Sequence, residues 1–237
     1  MTGGEATSPL VNRYRAEDRW RDVDTYFTEA LVDEDAALVE ARLSGARTTM
    51  PNAEVAANQG ALLALIARIR SARRVLEFGT LAGYSTIWLA RAVGPRGRVV
   101  TLELEDQNAA IARHNLTRAQ VGGWVDVVVG PAAETARRLI AEDVDPFDFV
   151  FIDADKPSNP QYLAAAIELT RSGAVILIDN VVRDGAVVDP DSPDSRVRGV
   201  REVTAAIAAH PALEATALQT VGVTGWYGLI VARLVTS

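Results

Sequence analysis

The stretch "RVLEFGTLAGYST", Arg74 to Thr86, runs from an apolar strand through a glycine turn into the start of a helix. A strand ended by Gly79, a second glycine at Gly83 and a helix opening near Ser85 form a strand–turn–helix unit. The same pattern recurs along the chain. The apolar runs "GRVVTLEL" (from Gly97), "WVDVVVG" (from Trp124), "FDFVFID" (from Phe147) and "GAVILIDN" (from Gly173) alternate with longer amphipathic stretches. Helices are expected near Ser85–Val93, Asp106–Gln120, Ala132–Ala141 and Asn159–Arg171. Each parallel crossover needs a helix, so this alternation specifies a parallel sheet covered on both faces. Near-continuous apolar strands agree, because both of their faces are buried. Two last runs, "LEATALQT" (from Leu213) and "GWYGLIVARLV" (from Gly225), are joined by the short "VGVTG" and read as an antiparallel hairpin at one edge. The fold class is therefore α/β: a doubly wound, mostly parallel seven-stranded sheet with helices on both faces.

Upstream of Arg74 the pattern is helical. Arg19 to Arg47 reads as one helix, with Val23, Phe27, Ala30 and Leu31 at helical spacing. "TTMPN" breaks it, and "EVAANQGALLALIARIR" gives a second helix that ends near Ser71. The start, "MTGGEATSP", is small and polar, so residues 1–18 are expected to be disordered. One domain over 19–237 is expected, with extra N-terminal helices at 19–71 and the sheet-bearing core at 72–237. The loop "RDGAVVDPDSPDS", Arg183 to Ser195, is long and rich in Asp and Pro, and suits the mobile rim of a site.

Composition removes several classes of function. A net charge of −7 argues against a nucleic-acid partner, which calls for a basic face. With no cysteine, disulfides, thiolate zinc sites and cysteine nucleophiles are impossible. The start lacks the apolar core of a signal peptide, and no run is long enough to span a bilayer, so a soluble cytoplasmic protein with no membrane partner is expected.

Ligands of doubly wound sheets sit at the carboxyl ends of the strands. The first such end carries Gly79 and Gly83, where glycines permit a tight turn and close approach of backbone to ligand. Leu81 occupies the middle-glycine position of a G-x-G-x-x-G fingerprint, which disfavours a pyrophosphate. Glu103, at the end of the second strand, is placed to accept hydrogen bonds from a ribose diol. S-adenosylmethionine (SAM) has a ribose and no phosphate and fits this pattern; NAD fits less well. A bare strand-to-helix turn is the plain alternative.

Further along, Asp153 ends the fourth strand and Asp179 and Asn180 end the fifth. If those strands are neighbours, three oxygen-bearing side chains fall within reach of one cation. Carboxylate and amide oxygens are hard ligands that suit Mg²⁺, Mn²⁺ or Ca²⁺. The plain reading of either Asp is a cap for the next helix. Lys156, just beyond Asp153, reads either as a solvated surface lysine paired with Asp155 or as a base beside a cation. His114 and His210 have no motif around them and read as structural.

Together, "RRVLEFGTLAGYSTIWLARAV", "GRVVTLELE", "FDFVFIDADK" and "VILIDNVV" resemble the cation-dependent class I O-methyltransferases of the catechol and caffeoyl-CoA type. The resemblance runs from about Met50 to Leu234. It implies a Rossmann-like methyltransferase core and a SAM-dependent enzyme acting on a hydroxyl of a small, catechol-like phenol. By resemblance, Gly79, Thr80, Gly83, Tyr84 and Ser85 hold the amino-acid end of SAM and Glu103 holds its ribose. Gly130, Pro131 and Ala132 lie by the adenine, where the family often has an aspartate in place of Ala132. Asp153 borders the cofactor and, with Asp179 and Asn180, holds Mg²⁺; Lys156 is the catalytic base. The N-terminal helices, Asp22 to Arg47, match those that close over the substrate and form a homodimer interface. Tyr227 stands where relatives commonly have an acid, and Arg183 where plant members have tryptophan; both departures bear on the acceptor. Two rivals remain at this level: a nicotinamide-dependent oxidoreductase, weakened by the absent G-x-G, and a non-catalytic protein with a vestigial metal site.

Overall fold

The alternation that begins at Arg74 folds into one sheet. The computed structural model describes residues 19–235; the expected disordered end, 1–18, lies outside them. In chain order the elements are α1 (Trp20–Leu31), α2 (Ala36–Ser44), α3 (Ala57–Ile69), β1 (Arg74–Phe78), α4 (Tyr84–Val93), β2 (Arg98–Glu103), α5 (Asp106–Arg118), β3 (Val125–Val129), α6 (Ala132–Ala141) and β4 (Phe147–Ile152). Then come α7 (Asn159–Glu168), β5 (Thr170–Asp179), α8 (Ser195–Ala209), β6 (Leu213–Leu218), β7 (Val221–Gly222), β8 (Gly225–Trp226) and β9 (Leu229–Leu234). The seven-stranded sheet has the order β3-β2-β1-β4-β5-β9-β6. Its first five strands are parallel, and β9 enters antiparallel between β5 and β6. The C-terminal hairpin thus closes one edge, as expected, with β6 outermost.

All six residues of β4 are buried, as a strand covered on both faces requires. Phe149 and Phe151 enter the layer built with Leu38, Leu63, Ile87 and Leu89. Val150 and Ile152 enter the opposite layer, with Tyr162, Ile176 and Val203. The sheet order reverses direction between β1 and β4, which makes their carboxyl ends the topological switch point.

Three expectations about elements are corrected. Arg19–Arg47 is not one helix: α1 stops at Leu31 and α2 restarts at Ala36. The break lies in "VDED", where the Asp35 side chain accepts a hydrogen bond from Leu38 N–H at 3.1 Å and caps α2. The apolar positions of α1 also face outward, since Val23, Phe27 and Leu31 are exposed and the helix buries none of its residues. Helix α7 ends at Glu168 rather than Arg171, because Arg171 belongs to β5 and its guanidinium bonds Asp148. "GWYGLIVARLV" is split: Gly225–Trp226 pairs with Val221–Gly222 in a separate ribbon, and only Leu229–Leu234 joins the main sheet. Among the described residues no helix is long and apolar enough to cross a membrane.

At the amino end of the sheet Asp148 ties three strands' worth of chain together. Its carboxylate accepts the backbone N–H of Arg73 and Arg74 at 2.7 and 3.0 Å and the Arg171 side chain at 2.7 Å. Burial pushes its pKa up, but these backbone donors and Arg171 outweigh burial and hold it below the usual carboxylate range. A lowered folded pKa contributes stability that is present above the unfolded value of about 3.9 and lost as pH falls through the folded one. Asp148→Asn is expected to cost about 1–3 kcal/mol at neutral pH. Urea unfolding should show that deficit at pH 7 and a smaller one at pH 3; equal midpoints for variant and wild type at pH 7 would contradict it.

Candidate active site

The carboxyl ends of β1 and β4 meet almost backbone to backbone. Asp153 N–H donates to the Phe78 carbonyl at 2.9 Å, and Gly79 N–H donates to the Leu102 carbonyl at 2.9 Å. Gly79 has a φ of +96°, and a Cβ there would lie 2.3 Å from the Asp153 carbonyl oxygen. No side chain fits. This glycine therefore satisfies both a left-handed turn and a close approach. Gly83, with φ +81°, ends the turn and precedes the first residue of α4. One tip over, Gly130 N–H reaches the Glu103 carbonyl at 2.8 Å, so the Gly130–Ala132 corner lies beside the end of β2.

Glu103 is buried, and its carboxylate braces the turn. Oε2 accepts the backbone N–H of Thr80 and Leu81 at 3.3 and 2.8 Å, while Oε1 accepts from Glu105 N–H and Asn108 Nδ2. Tyr84 sends its hydroxyl away from the turn, donating to Glu34 at 2.8 Å, and Glu34 is also held by Arg42. Its side chain thereby links the turn to the segment between α1 and α2.

The residue that sequence reasoning passed over is Glu77. It lies wholly buried on β1 and accepts the hydroxyls of Ser85 at 2.7 Å, Thr101 at 2.7 Å and Thr86. Thr101 in turn meets the Thr80 hydroxyl at 2.6 Å. Burial pushes the Glu77 pKa up to about 7; the three hydroxyl donors oppose this, and the charge of Asp153 adds to it. A lone acid inside the apolar run "VLEF" was the signal available. It was easy to miss, because its partners come from two other elements, α4 and β2.

The second cluster lies at the ends of β4 and β5, which do pair as neighbours. Lys156 is 6% exposed and its Nζ lies 2.7 Å from Asp153 Oδ1. The surface-lysine reading is overturned: Lys156 pairs with Asp153, while Asp155 accepts from the Tyr162 hydroxyl and from Ser158 N–H. Asp179 is 1% exposed, with Asn180 Nδ2 on Oδ2 at 3.1 Å and no partner for Oδ1. Burial raises its pKa and the Asp153 charge raises it further, with Lys156 acting the other way. Lys156 and Asp153 thus form one pair, at the end of the strand next to that of Asp179. Among the described residues no three His, Cys, Asp or Glu side chains converge as a metal set; the donors here are two carboxylates and an amide. A buried carboxylate oxygen with no hydrogen-bond partner is the feature a hard cation would satisfy.

The backbone after β5 is strained and stitched down. Asn180, Arg183 and Asp184 all have positive φ, between 53 and 55°. Val181, Val182 and Asp184 N–H donate to the carbonyls of Gly228, Tyr227 and Trp226. Strain of this kind gathers where surrounding structure holds a functional loop. Tyr227 sits in this clamp. Burial raises its hydroxyl pKa, and the charges of Asp24 and Asp179 add to the effect. The Arg183 Nε is buried without a partner. His114 and His210 make only local contacts, with Arg118 and with Ala212 N–H, and stay apart from both clusters. Surface grooves of about 760 and 300 Å³ lie against β3 and include none of the expected site residues. Neither gathers the buried acids that chemistry at the strand tips requires.

Comparison with known proteins identifies relatives over most of the chain. A family model described as O-methyltransferase matches residues 28–226. A catechol O-methyltransferase of Mycobacterium tuberculosis is 48% identical over 211 residues, covering 89% of this chain and 94% of the relative. A catechol O-methyltransferase of Niastella koreensis is 44% identical over 210 residues, covering 89% and 95%. Among solved structures, the O-methyltransferase TomG from Streptomyces achromogenes, in complex with SAM, superposes with a TM-score of 0.89 at 45% identity, covering 94% of this chain and all of that one. With the glycine turn, the acid after β2 and the sheet order already in place, these matches mean that the chain belongs to the O-methyltransferase family and is a SAM-dependent O-methyltransferase.

Proposed function

We propose that this enzyme methylates one hydroxyl of a catechol-like vicinal diol, with Mg²⁺ or a similar hard cation held by Asp153, Asp179 and Asn180. The observation that carries the reading is the pairing of a buried Lys156–Asp153 contact with the unsatisfied Asp179 oxygen on the neighbouring strand tip. The names of the catechol O-methyltransferase relatives support the acceptor class.

In this reading the glycine turn and Glu103 seat SAM, with Glu77 fixing the hydroxyls of Ser85, Thr86 and Thr101 around the turn. A free phenol has a pKa of about 10, so few molecules are nucleophilic at neutral pH. A bound divalent cation supplies the charge that favours the phenolate, and a drop of about 3 units is worth roughly 4 kcal/mol. Lys156, entering the step as the neutral amine, accepts the proton and becomes the ammonium, and its contact with Asp153 sets where that amine points. The oxygen then attacks the methyl carbon, the carbon–sulfur bond breaks, and S-adenosylhomocysteine leaves as the neutral thioether. Because β1 and β4 touch at Gly79 and Asp153, donor and acceptor sites share one wall, and fixed positioning supplies much of the remaining rate. Tyr227 and Arg183 border the acceptor side and shape which diol is taken.

We assign α1 two parts in this scheme. Its inner side is fixed by Asp24, which accepts from Asn58 Nδ2 and from Val223 N–H, and so places the helix as a cover over the ribbon. Its outer side presents Val23, Phe27 and Leu31, a stripe that fits a second copy of the chain.

Three outcomes test this reading. Asp179→Ala should lose at least 100-fold of catechol turnover while SAM affinity, read by calorimetry, stays within about threefold; unchanged turnover in EDTA would remove the cation from the mechanism. Lys156→Ala should lower kcat by about 10²–10⁴ with little change in SAM affinity, and wild-type kcat would reject it as the base. Light scattering should find a dimer that Phe27→Asp with Leu31→Asp converts to monomer; a monomeric wild type would rule out the α1 interface.

A further inference from the structure

The Glu103 carboxylate has four hydrogen-bond donors, and three of them are backbone: Thr80, Leu81 and Glu105 N–H. The fourth, Asn108 Nδ2 at 3.1 Å, is the one side chain in the set. Asn108 lies in the first turn of α5 and is 3% exposed. Its amide is fully used. Oδ1 accepts the Thr49 backbone N–H at 3.0 Å, and Nδ2 donates both to Thr49 Oγ1 at 3.0 Å and to Glu103 Oε1. An amide has a donor end and an acceptor end, so this set of partners fits one orientation only. Turned over, it would set its oxygen against the Glu103 carboxylate and its NH₂ against the Thr49 N–H. Thr49, between α2 and α3, thus fixes which end of Asn108 meets Glu103.

The same face of α5 backs the glycine turn. Asn108, Ala112 and Asn115 are spaced by four and three residues, which lines them up along one side of a helix. A Cβ on Gly83 would lie 3.3 Å from the Ala112 Cβ, so the turn rests on this face. Farther along, Asn115 Nδ2 donates to the Ala82 carbonyl at 2.9 Å and to Ser44 Oγ of α2 at 2.7 Å. At each end of the face a buried amide therefore joins the N-terminal segment to Glu103 or to the turn itself.

We infer that Asn108 is a positioning residue for the cofactor: anchored by Thr49, its amide sets the rotation of the Glu103 carboxylate that meets the ribose diol. This rests on the seating of SAM by Glu103 given above. The terminal torsion of a glutamate is soft, so neighbouring donors decide where its lone pairs point. Without the amide, Oε1 would keep Glu105 N–H alone.

The test is calorimetry with two ligands, S-adenosylhomocysteine and its 2′,3′-dideoxy analogue, which lacks the ribose hydroxyls. Wild type should bind the first roughly tenfold or more tightly than the second. Asn108→Leu removes the donor. It should lose about tenfold for S-adenosylhomocysteine, the scale of one hydrogen bond to a charged group, and less than about twofold for the analogue. A merely structural defect would weaken both ligands alike. If Asn108→Leu does not fold, Asn108→Asp has the same shape, keeps an acceptor for Thr49 N–H and sets a like charge against Glu103. It should narrow the preference for S-adenosylhomocysteine in the same way. Equal losses for the two ligands in the folded variant, or no loss for either, overturn the inference and leave Glu103 as the ribose acid. A wild type that binds both ligands equally overturns the ribose role of Glu103 and the inference with it.

Discussion

The contact between the ends of β1 and β4 governs the rest of the molecule. At Gly79 the chain must take a left-handed turn within van der Waals reach of the Asp153 carbonyl, and only a residue without a Cβ allows it. That contact puts the glycine turn and the first acid of the second cluster on the same few ångströms of backbone. A methyl group moves between two bound molecules only when both are held in line, and in the proposed mechanism this juxtaposition provides that alignment.

Around the contact the chain uses buried charge in two different ways. Glu77 is surrounded by hydroxyls that satisfy it, and it acts as a fixed post for Ser85, Thr86, Thr101 and, through Thr101, Thr80. Asp179 is left partly unsatisfied, which is costly unless something completes it. The first arrangement builds a rigid wall. The second leaves a place for a ligand. Burial raises the pKa of both acids, yet their hydrogen-bond inventories differ: both Glu77 oxygens have donors, and one Asp179 oxygen has none.

The N-terminal helices are tied to this centre by polar contacts. Glu34, between α1 and α2, holds the Tyr84 hydroxyl at the start of α4, and Asp24 of α1 holds both α3 and the ribbon before β9. The apolar stripe of α1, which a helical-spacing argument would turn inward, faces away from the core. Spacing reports that a helix has an apolar face; it carries no information on which neighbour covers it.

The strands, the crossover helices and the glycine turn were legible in the sequence, because period and turn chemistry are local properties. So were Asp153, Asp179 and Asn180 as residues at strand ends; that the two strands adjoin was settled by the pairing of β4 with β5. Other features needed the folded chain. The "VDED" break depends on Asp35 choosing a cap, the insertion of β9 between β5 and β6 depends on strand pairing, and the burial of Lys156 depends on Gly199 of α8, whose missing Cβ lets the Lys156 backbone approach. Glu77 was visible only as an odd acid in an apolar run, until hydroxyls from β2 and α4 came to meet it. Sequence determines which groups arrive at the sheet edge; tertiary structure decides which of them are satisfied there, because hydrogen bonds between distant segments exist only once the segments have been brought together.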